Sequence, residues 1–569
     1  MRKLQISCIA LLIPVLCAGQ EPFHNYYERQ NAEASRLHNQ GEHVKAIAIL
    51  EELRHRPEVQ QSEDDLLHVL YNLACEYSLA HQKDKAMATL RDAAATGSLT
   101  STSLEQDSDF DNIRQNEAFK QFLKELKDKE APMRLLWRST AWQTPFRENL
   151  PEPEKIAGLS VLWAEAKYDF PFFARGHGLD WDALYLTYLP KVQATKSTYE
   201  YYDVLSEFYA QLHDGHTGVM YPDELNKRMG WPAMTTRLIE ERVFVDEVRD
   251  PALAGRGVAH GMEIISVDGL PVREYGEKNV EPRICASTKQ DLETRTFENS
   301  LLGGLVDKPL TLVLRDAAGK VTSVTLPRLS PADSDKLPHT PWKRFEYKVL
   351  PGNIAYVALR SFGSNGAVTD FDAAFLQILK SDALVLDVRE NGGGSSNVGW
   401  AILGYLTDKP FSSSQWRTRD YRPAYRAWGM AEKWYSQGAS ELAPHGVDPY
   451  RKPVVVLTSA HTYSAAEDFA VVFDAMKRGE IIGEPTGGST GQPLQFPLPG
   501  GGAARICTKH DRYPDGKEFV GVGVQPAVLV HPTVKDFRAG RDTVLEAAIL
   551  EVQHLKSSVG FHVLAACTE

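Results

Sequence analysis

The sequence predicts a multidomain α/β protein with an all-helical repeat segment at its start, a β-rich domain in its middle and an alternating α/β core at its end. Three observations predict it. Residues 31–126 carry alanine- and leucine-rich amphipathic patterning of helical period. Short alternating runs such as Val243-Phe244-Val245 and Leu310-Thr311-Leu312-Val313-Leu314 read as strands. Past Ser330, apolar strand-like runs alternate with helical stretches, which argues a largely parallel, helix-covered sheet. At about 150 residues per domain, a chain of 569 residues holds three or four such units. The texture divides it at 1–19, 24–130, 131–230, 231–330 and 331–555.

Met1-Arg2-Lys3 begins the chain with positive charge, and the apolar run Ile6 to Cys17 is too short to span a bilayer comfortably. Cys17-Ala18-Gly19 and then Gln20-Glu21 complete the order expected of a secretory signal peptide cut near Gly19. Leu16 occupies the place where a lipoprotein signal needs a small residue. An exported protein, periplasmic or secreted, is expected, with no stable membrane insertion. The balance of 63 Lys+Arg against 75 Asp+Glu gives a formal charge of -12. With no dense basic stretch, nucleic acid is excluded as a partner. Cys75, Cys285, Cys507 and Cys567 lie far apart with no C-x-x-C pair, so the cysteines offer no zinc signature and are expected to be mostly buried thiols.

In the helical segment, Gly41, Ala46 and Leu50 recur as His81, Ala86 and Leu90. This resembles a pair of tetratricopeptide-type helical hairpins with residues 57–65 as an inserted loop, a segment suited to a protein partner. Residues 154–220 read as mainly helical and aromatic-rich, closing on Leu212-His213-Asp214-Gly215-His216-Thr217. The phrase Ile264-Ile265-Ser266-Val267-Asp268-Gly269 resembles the strand-turn of a PDZ domain, which binds peptide C-termini by strand addition. On that resemblance Gly261 and Ile264 are substrate-binding candidates, although Met262 replaces the usual aspartate. In the core, 353–359, 383–388 and 454–457 are strands, with helices around 371–379 and after Ser395. Residues 411–453, rich in Trp, Tyr and Arg, read as a substrate-facing insertion.

Two motifs carry chemistry. Val454-Val455-Val456-Leu457 is a buried strand, and from Ala465 the composition turns helical, with Ser464 at the junction. Ser464-Ala465-Ala466-Glu467 fits a capping box, the commoner role for such a serine. A strand-turn-helix junction also exposes a hydroxyl beside the free amides of a helix start, the setting of a nucleophile and its oxyanion hole. Upstream, Leu384-Val385-Leu386-Asp387-Val388-Arg389-Glu390-Asn391-Gly392-Gly393-Gly394 ends a strand in glycines that let backbone amides approach a site.

Together, LVLDVRENGGG and TSAHTYSAAEDFA resemble the C-terminal-processing and tricorn-type serine peptidases, and LHDGHTG ahead of a PDZ-like segment resembles the N-terminal part of that family. The resemblance implies a crotonase-like α/β spiral core and an acyl-enzyme on Ser464. It places the oxyanion hole at the Ala465 amide and one from Gly392 or Gly393. The processing-peptidase branch takes a lysine 25 residues after the serine as base. Here that position is Ser489, and Lys477 and Lys509 are out of register. The tricorn-like branch uses a histidine, which His216 matches, and imidazole titrates where it can deprotonate a hydroxyl near neutral pH. His216 is alternatively structural or, with His213, half a metal site that lacks a third ligand segment. The third member of the triad would precede Gly523-Val524-Gln525-Pro526, but Val520 lines up there, leaving Glu518 or Asp511 to orient the histidine. A peptidase acting on peptide or unfolded protein, with no metal or cofactor, is the expected function. The rivals are a non-catalytic ligand- or peptide-binding protein on the same fold, and a serine esterase.

Overall fold

The computed structural model describes residues 23–137, 139–175, 178–338 and 341–566. The expected signal peptide and Cys567 lie outside the described residues. The chain divides into two compact units, 1–139 and 140–569. The helix Glu117–Trp137 carries the first unit past the expected boundary at 130.

In the first unit, helices Phe23–Asn39 and His43–Arg54 form one hairpin, and Glu63–Leu79 and Lys83–Ala95 form another. The sequence repeat has a local cause. Gly41 (φ +72°) and His81 (φ +57°) both adopt the left-handed conformation that terminates a helix. Each is followed by the same wrap-back bond, Glu42 N to Leu37 O (2.9 Å) and Gln82 N to Tyr77 O (2.8 Å). Ala46, Leu50, Ala86 and Leu90 are buried at matching places. The loop expected over 57–65 is instead a short helix, Pro57–Gln61, because proline suits the first helical position and Val59 is buried. Ser62 then caps the following helix through Asp65 N (3.2 Å).

In the second unit, helices Glu152–Asp169, Trp181–Ala194 and Thr198–Ala210 pack on aromatic side chains, with Trp181 stacked on Phe208 at 4.3 Å between centroids. The end of this segment departs from the helical expectation. Gly218–Met220 is a strand that pairs antiparallel with Ala503–Cys507, and so ties the HDGHT turn to the α/β core.

The β-rich segment forms an antiparallel sheet in the order Met234–Ile239, Arg242–Val248, Glu263–Val267, Leu310–Arg315, Val321–Leu326. The core sheet runs Phe345–Leu350, Ile354–Leu359, Ala383–Asp387, Val454–Thr458, Glu480–Gly483, Val528–Leu529, parallel after its first pair. Its central strands read as continuous apolar runs because both faces are covered. Val357, Leu386 and Val456 pack among the residues of helices Gly366–Ile378 and Ala465–Ala475. Tyr356, Val385 and Val455 pack with Val544 and Ala548 of the terminal helix Thr543–Ala566, which runs past the expected end of the core at 555. The aromatic insertion is a small sheet in which Gln415–Asp420 pairs with Lys433–Gln437 and His510–Arg512. Cys75, Cys285 and Cys507 are buried free thiols.

Candidate active site

The turn between strand Val454–Thr458 and helix Ala465–Ala475 places Ser464 at φ +56°, ψ −125°. A non-glycine residue held there costs on the order of 1–3 kcal/mol, which surrounding bonds must supply. Ser464 N donates to Ser489 O (3.1 Å) and Glu467 Oε2 (3.3 Å), and Tyr463 N donates to Asn391 O (3.0 Å). The glycine turn packs directly on this junction. A Cβ on Gly393 (φ +99°) would lie 2.7 Å from Ser464 Cβ and 3.0 Å from Ala465 N, so no side chain fits. Asn391 is fully buried and holds the turn by accepting Gly393 N–H (2.9 Å) while donating to Leu359 O (2.9 Å). Of the amides expected to form an oxyanion hole, that of Gly393 is therefore spent on Asn391. The Gly392 and Ala465 amides have no acceptor among the described residues.

The strand pairing of Gly218–Met220 carries His216 to the serine. His216 Nε2 lies 3.0 Å from Ser464 Oγ across 248 residues of sequence, and Nδ1 lies 2.8 Å from Ser489 Oγ. The ring stacks on Tyr463 (5.2 Å between centroids, 9° between planes). Its backbone is fixed by Asp214, whose Oδ2 accepts His216 N (3.1 Å) and Thr217 Oγ1 (2.7 Å). Gly215 is required here. A Cβ would sit 1.7 Å from the Tyr463 hydroxyl and 2.8 Å from Asp291 Oδ2. Burial, reinforced by the positive charges of Arg505, Arg295 and Lys509, pulls the imidazole down to about 3, so the ring is neutral at physiological pH.

Glu467, read from sequence as a capping residue, organises more than a cap. Its fully buried carboxylate accepts Thr486 Oγ1 (2.5 Å) and Gly488 N (2.7 Å) on one oxygen, and Ser489 N (2.8 Å) and Ser464 N (3.3 Å) on the other. Burial pushes this carboxyl up, while the four donors, each needing an acceptor, favour the ionised form and pull it down. Glu467→Gln keeps the shape but turns an amide NH₂ toward backbone N–H donors. It is expected to destabilise the protein by about 1–3 kcal/mol for each donor left unsatisfied and to lower turnover, read by denaturant unfolding and a peptidase assay. Unchanged stability and rate would mean that the 486–489 loop is held by other contacts.

The residues expected to complete the site are placed elsewhere. Glu518 bonds His510 Nε2 (2.5 Å) and Arg512 (2.6 Å). The Arg512–Glu518 bridge closes a hairpin that faces Glu518 to His510. Asp511 pairs with Lys509 (2.9 Å) and Thr490 (2.9 Å), and Val520 is buried in the apolar core. Ser489, at the position where a lysine was sought, holds the histidine instead. Lys477 projects from the surface beside Asp474. Behind Tyr463 lies an acid that sequence reasoning missed. The Tyr463 hydroxyl donates to Asp291 Oδ2 (3.5 Å), Arg295 bonds the other oxygen (2.6 Å), and its guanidinium lies 4.9 Å from the Tyr463 ring centroid. Gly261 and Ile264 are also turned inward. Gly261 N donates to Val245 O (2.9 Å) and its carbonyl accepts Arg538 Nε (2.9 Å). The Ile264 side chain lies in the sheet's own core. Neither is free to hold a substrate.

Residues 353–530, the stretch containing both the glycine turn and Ser464, match the profile of peptidase family S41. Those residues are a peptidase S41 domain. With that domain the protein is a serine-type peptidase. Residues 159–210, the helices leading to His216, match the tricorn protease C1 domain. The chain is 26% identical over 371 residues to the chloroplastic C-terminal processing peptidase of Tetradesmus obliquus, covering 63% of this chain and 74% of the relative. It is 24% identical over 402 residues to a putative tricorn protease homolog 2 of Streptomyces coelicolor, covering 65% of this chain but only 30% of that one. Among solved structures, mature CPAF complexed with lactacystin shares the fold, with TM-score 0.56 at 16% identity, covering 72% of this chain and 98% of that one. Among the described residues no helix is long and apolar enough to cross a membrane.

Proposed function

We propose that Ser464 is the nucleophile and His216 the general base of an acyl-enzyme peptidase. The observation that carries this reading is the 3.0 Å contact between His216 Nε2 and Ser464 Oγ, made by an imidazole that burial keeps neutral. With the Nδ1 proton donated to Ser489 Oγ, the Nε2 lone pair faces the serine hydroxyl. Ser464 Oγ attacks the substrate carbonyl, its proton passes to Nε2, and the Ala465 and Gly392 amides receive the oxyanion. The imidazolium then protonates the leaving amine. Water, deprotonated in turn by His216, hydrolyses the ester. Ser489 takes the orienting place that an acid holds in a Ser-His-Asp triad. Tyr463 and Asp291 stand behind it, with the carboxylate placed to stabilise the transient imidazolium through the Tyr463 hydroxyl.

The substrate is read as an extended peptide or unfolded protein. The helix-backed parallel sheet serves as a crotonase-like core, and the antiparallel sheet of Met234–Ile239 to Val321–Leu326 as a PDZ-like domain. Its edge strand Met234–Ile239 is the place for strand addition. There Leu238 N is held by Glu298 Oε1 (3.0 Å), while Glu298 Oε2 takes His461 Nε2 (2.7 Å), three residues before Ser464. That edge amide is taken by a carboxylate of the chain itself, which a substrate's terminal carboxylate would have to displace. Amidating the C-terminus of a good peptide substrate is expected to weaken its cleavage. Equal kcat/KM for the acid and amide forms would remove carboxylate recognition and leave the serine chemistry intact. Export is proposed from the Met1-Arg2-Lys3 start and the apolar run after it.

The reading as a whole is tested by incubating the protein with an unfolded polypeptide and mapping fragment termini by mass spectrometry. New termini that disappear in Ser464→Ala are expected. Turnover of small esters with no peptide cleavage would make the site an esterase. Ligand binding with no turnover of either would make it a binding module.

A further inference from the structure

The helical unit holds a cluster that the peptidase chemistry does not use. His38 sits in the last turn of helix Phe23–Asn39, His43 opens helix His43–Arg54, and the left-handed turn at Gly41 folds them onto Glu76 of helix Glu63–Leu79. The Glu76 carboxylate is clasped from both sides, Oε1 by His38 Nδ1 (2.7 Å) and Oε2 by His43 Nδ1 (2.8 Å). The ligand-capable atoms of the three residues all lie within 4.8 Å of one another. Glu76 is 3% exposed, whereas the histidines are open on one side, at 36% and 25%.

The surroundings of Glu76 are acidic. Beside it is a cavity of about 280 Å³ lined by Glu76, Asp107, Asp109, Cys75 and Tyr71 among others, with neither lysine nor arginine in the lining. A buried carboxylate beside two further acids is costly unless a cation compensates it.

We propose that His38, His43 and Glu76 bind a divalent transition metal, Zn²⁺ by its affinity for imidazole joined to a carboxylate, at a site that links the first hairpin to the Glu63–Leu79 helix. Two imidazoles and a carboxylate with an open fourth position make a familiar zinc donor set, with ligand bonds of about 2.0–2.2 Å. Tetrahedral placement needs ligand atoms roughly 3.3 Å apart, so each imidazole backs away from the carboxylate by about half an ångström, a motion open to side chains that are partly exposed. Metal at Nδ1 puts the remaining ring proton of His38 on Nε2, which faces Asp109 Oδ2 at 3.9 Å. Asp109 then stands behind the ligand, and an approach of about half an ångström lets it accept that proton and fix the tautomer. A search for cysteine spacing misses the site because its ligands come from three helices and none is a thiol.

The test uses the full chain, stripped with chelator and titrated with zinc chloride against a chromophoric competitor. One Zn²⁺ per chain is expected, bound at least about a hundredfold more weakly by His38→Gln/His43→Gln, and about 10–100-fold more weakly by Asp109→Asn. Helical content and peptidase activity should be unchanged in these variants. Equal zinc affinity in the parent and the double histidine variant overturns the site. Should a variant lose its fold, cobalt(II) added to the stripped parent decides. The intense visible bands of tetrahedral cobalt are expected, and their absence overturns the proposal equally.

Discussion

Ser464→Ala is expected to abolish peptide hydrolysis, by roughly 10⁴-fold or more, in a protein that stays folded. The two roles of the residue separate cleanly in this variant. As a helix cap its loss costs about 1 kcal/mol, whereas as a nucleophile its loss removes the atom that forms the acyl-enzyme. Backbone conformation adds a second comparison. At φ +56° any residue with a Cβ is strained, so Ser464→Gly should be at least as stable as Ser464→Ala by denaturant midpoint, and equally inactive. Full turnover in either variant would put the chemistry elsewhere.

His216→Ala is expected to lower kcat/KM by roughly 10²–10⁴-fold, the usual contribution of a general base, again without unfolding. The pH profile of the parent carries more information. An exposed imidazole base would give an acid limb at its ordinary value. His216, held neutral by burial and by the cations Arg505, Arg295 and Lys509, titrates at about 3. The kcat/KM of the folded enzyme should therefore persist well below pH 6. Stability moves differently. The unfolded chain takes up this proton near 6.5 and the folded protein only at about 3, so the contribution of His216 is fully present above 6.5 and is lost progressively as pH falls toward 3. Acid unfolding, rather than protonation of the base, should set the lower limit of activity. An acid limb near 6.5 in a protein shown to be folded would contradict the buried environment of this ring. Should Lys477→Ala or Lys509→Ala abolish turnover while His216→Ala does not, the base is a lysine after all.

The strand-turn-helix junction at Ser464 and the polar turn at His216 were legible from local sequence, but their pairing as a site came only from the family resemblance of the two motifs. Ser464 stands where an apolar strand meets a helix with an acid at its third position, and HDGHT is a short polar turn after an aromatic helix. The helical hairpins were legible for the same reason, since Gly41 and His81 close two helices with one motif. What escaped depends on contacts across long separations. Ser489 bonds a histidine 273 residues away, in a loop whose composition says only that it is a turn. Glu518 is an acid near the right place in sequence, but hairpin pairing faces it to His510. Ile264 lies in a strand whose alternation does not say which face the sheet will bury. Gly215 reads as a turn glycine, and only the packing of Tyr463 and Asp291 against it shows why a side chain is forbidden there.

The central claim is that His216 activates Ser464. The most direct measurement is covalent labelling of the folded protein by a fluorophosphonate, with the adduct mapped by mass spectrometry. The account predicts one adduct, on Ser464, formed at a rate that falls with His216→Ala, absent in Ser464→Ala, and slowed by a competing peptide substrate. Labelling on another residue, or labelling of Ser464 at an unchanged rate in His216→Ala, would contradict it.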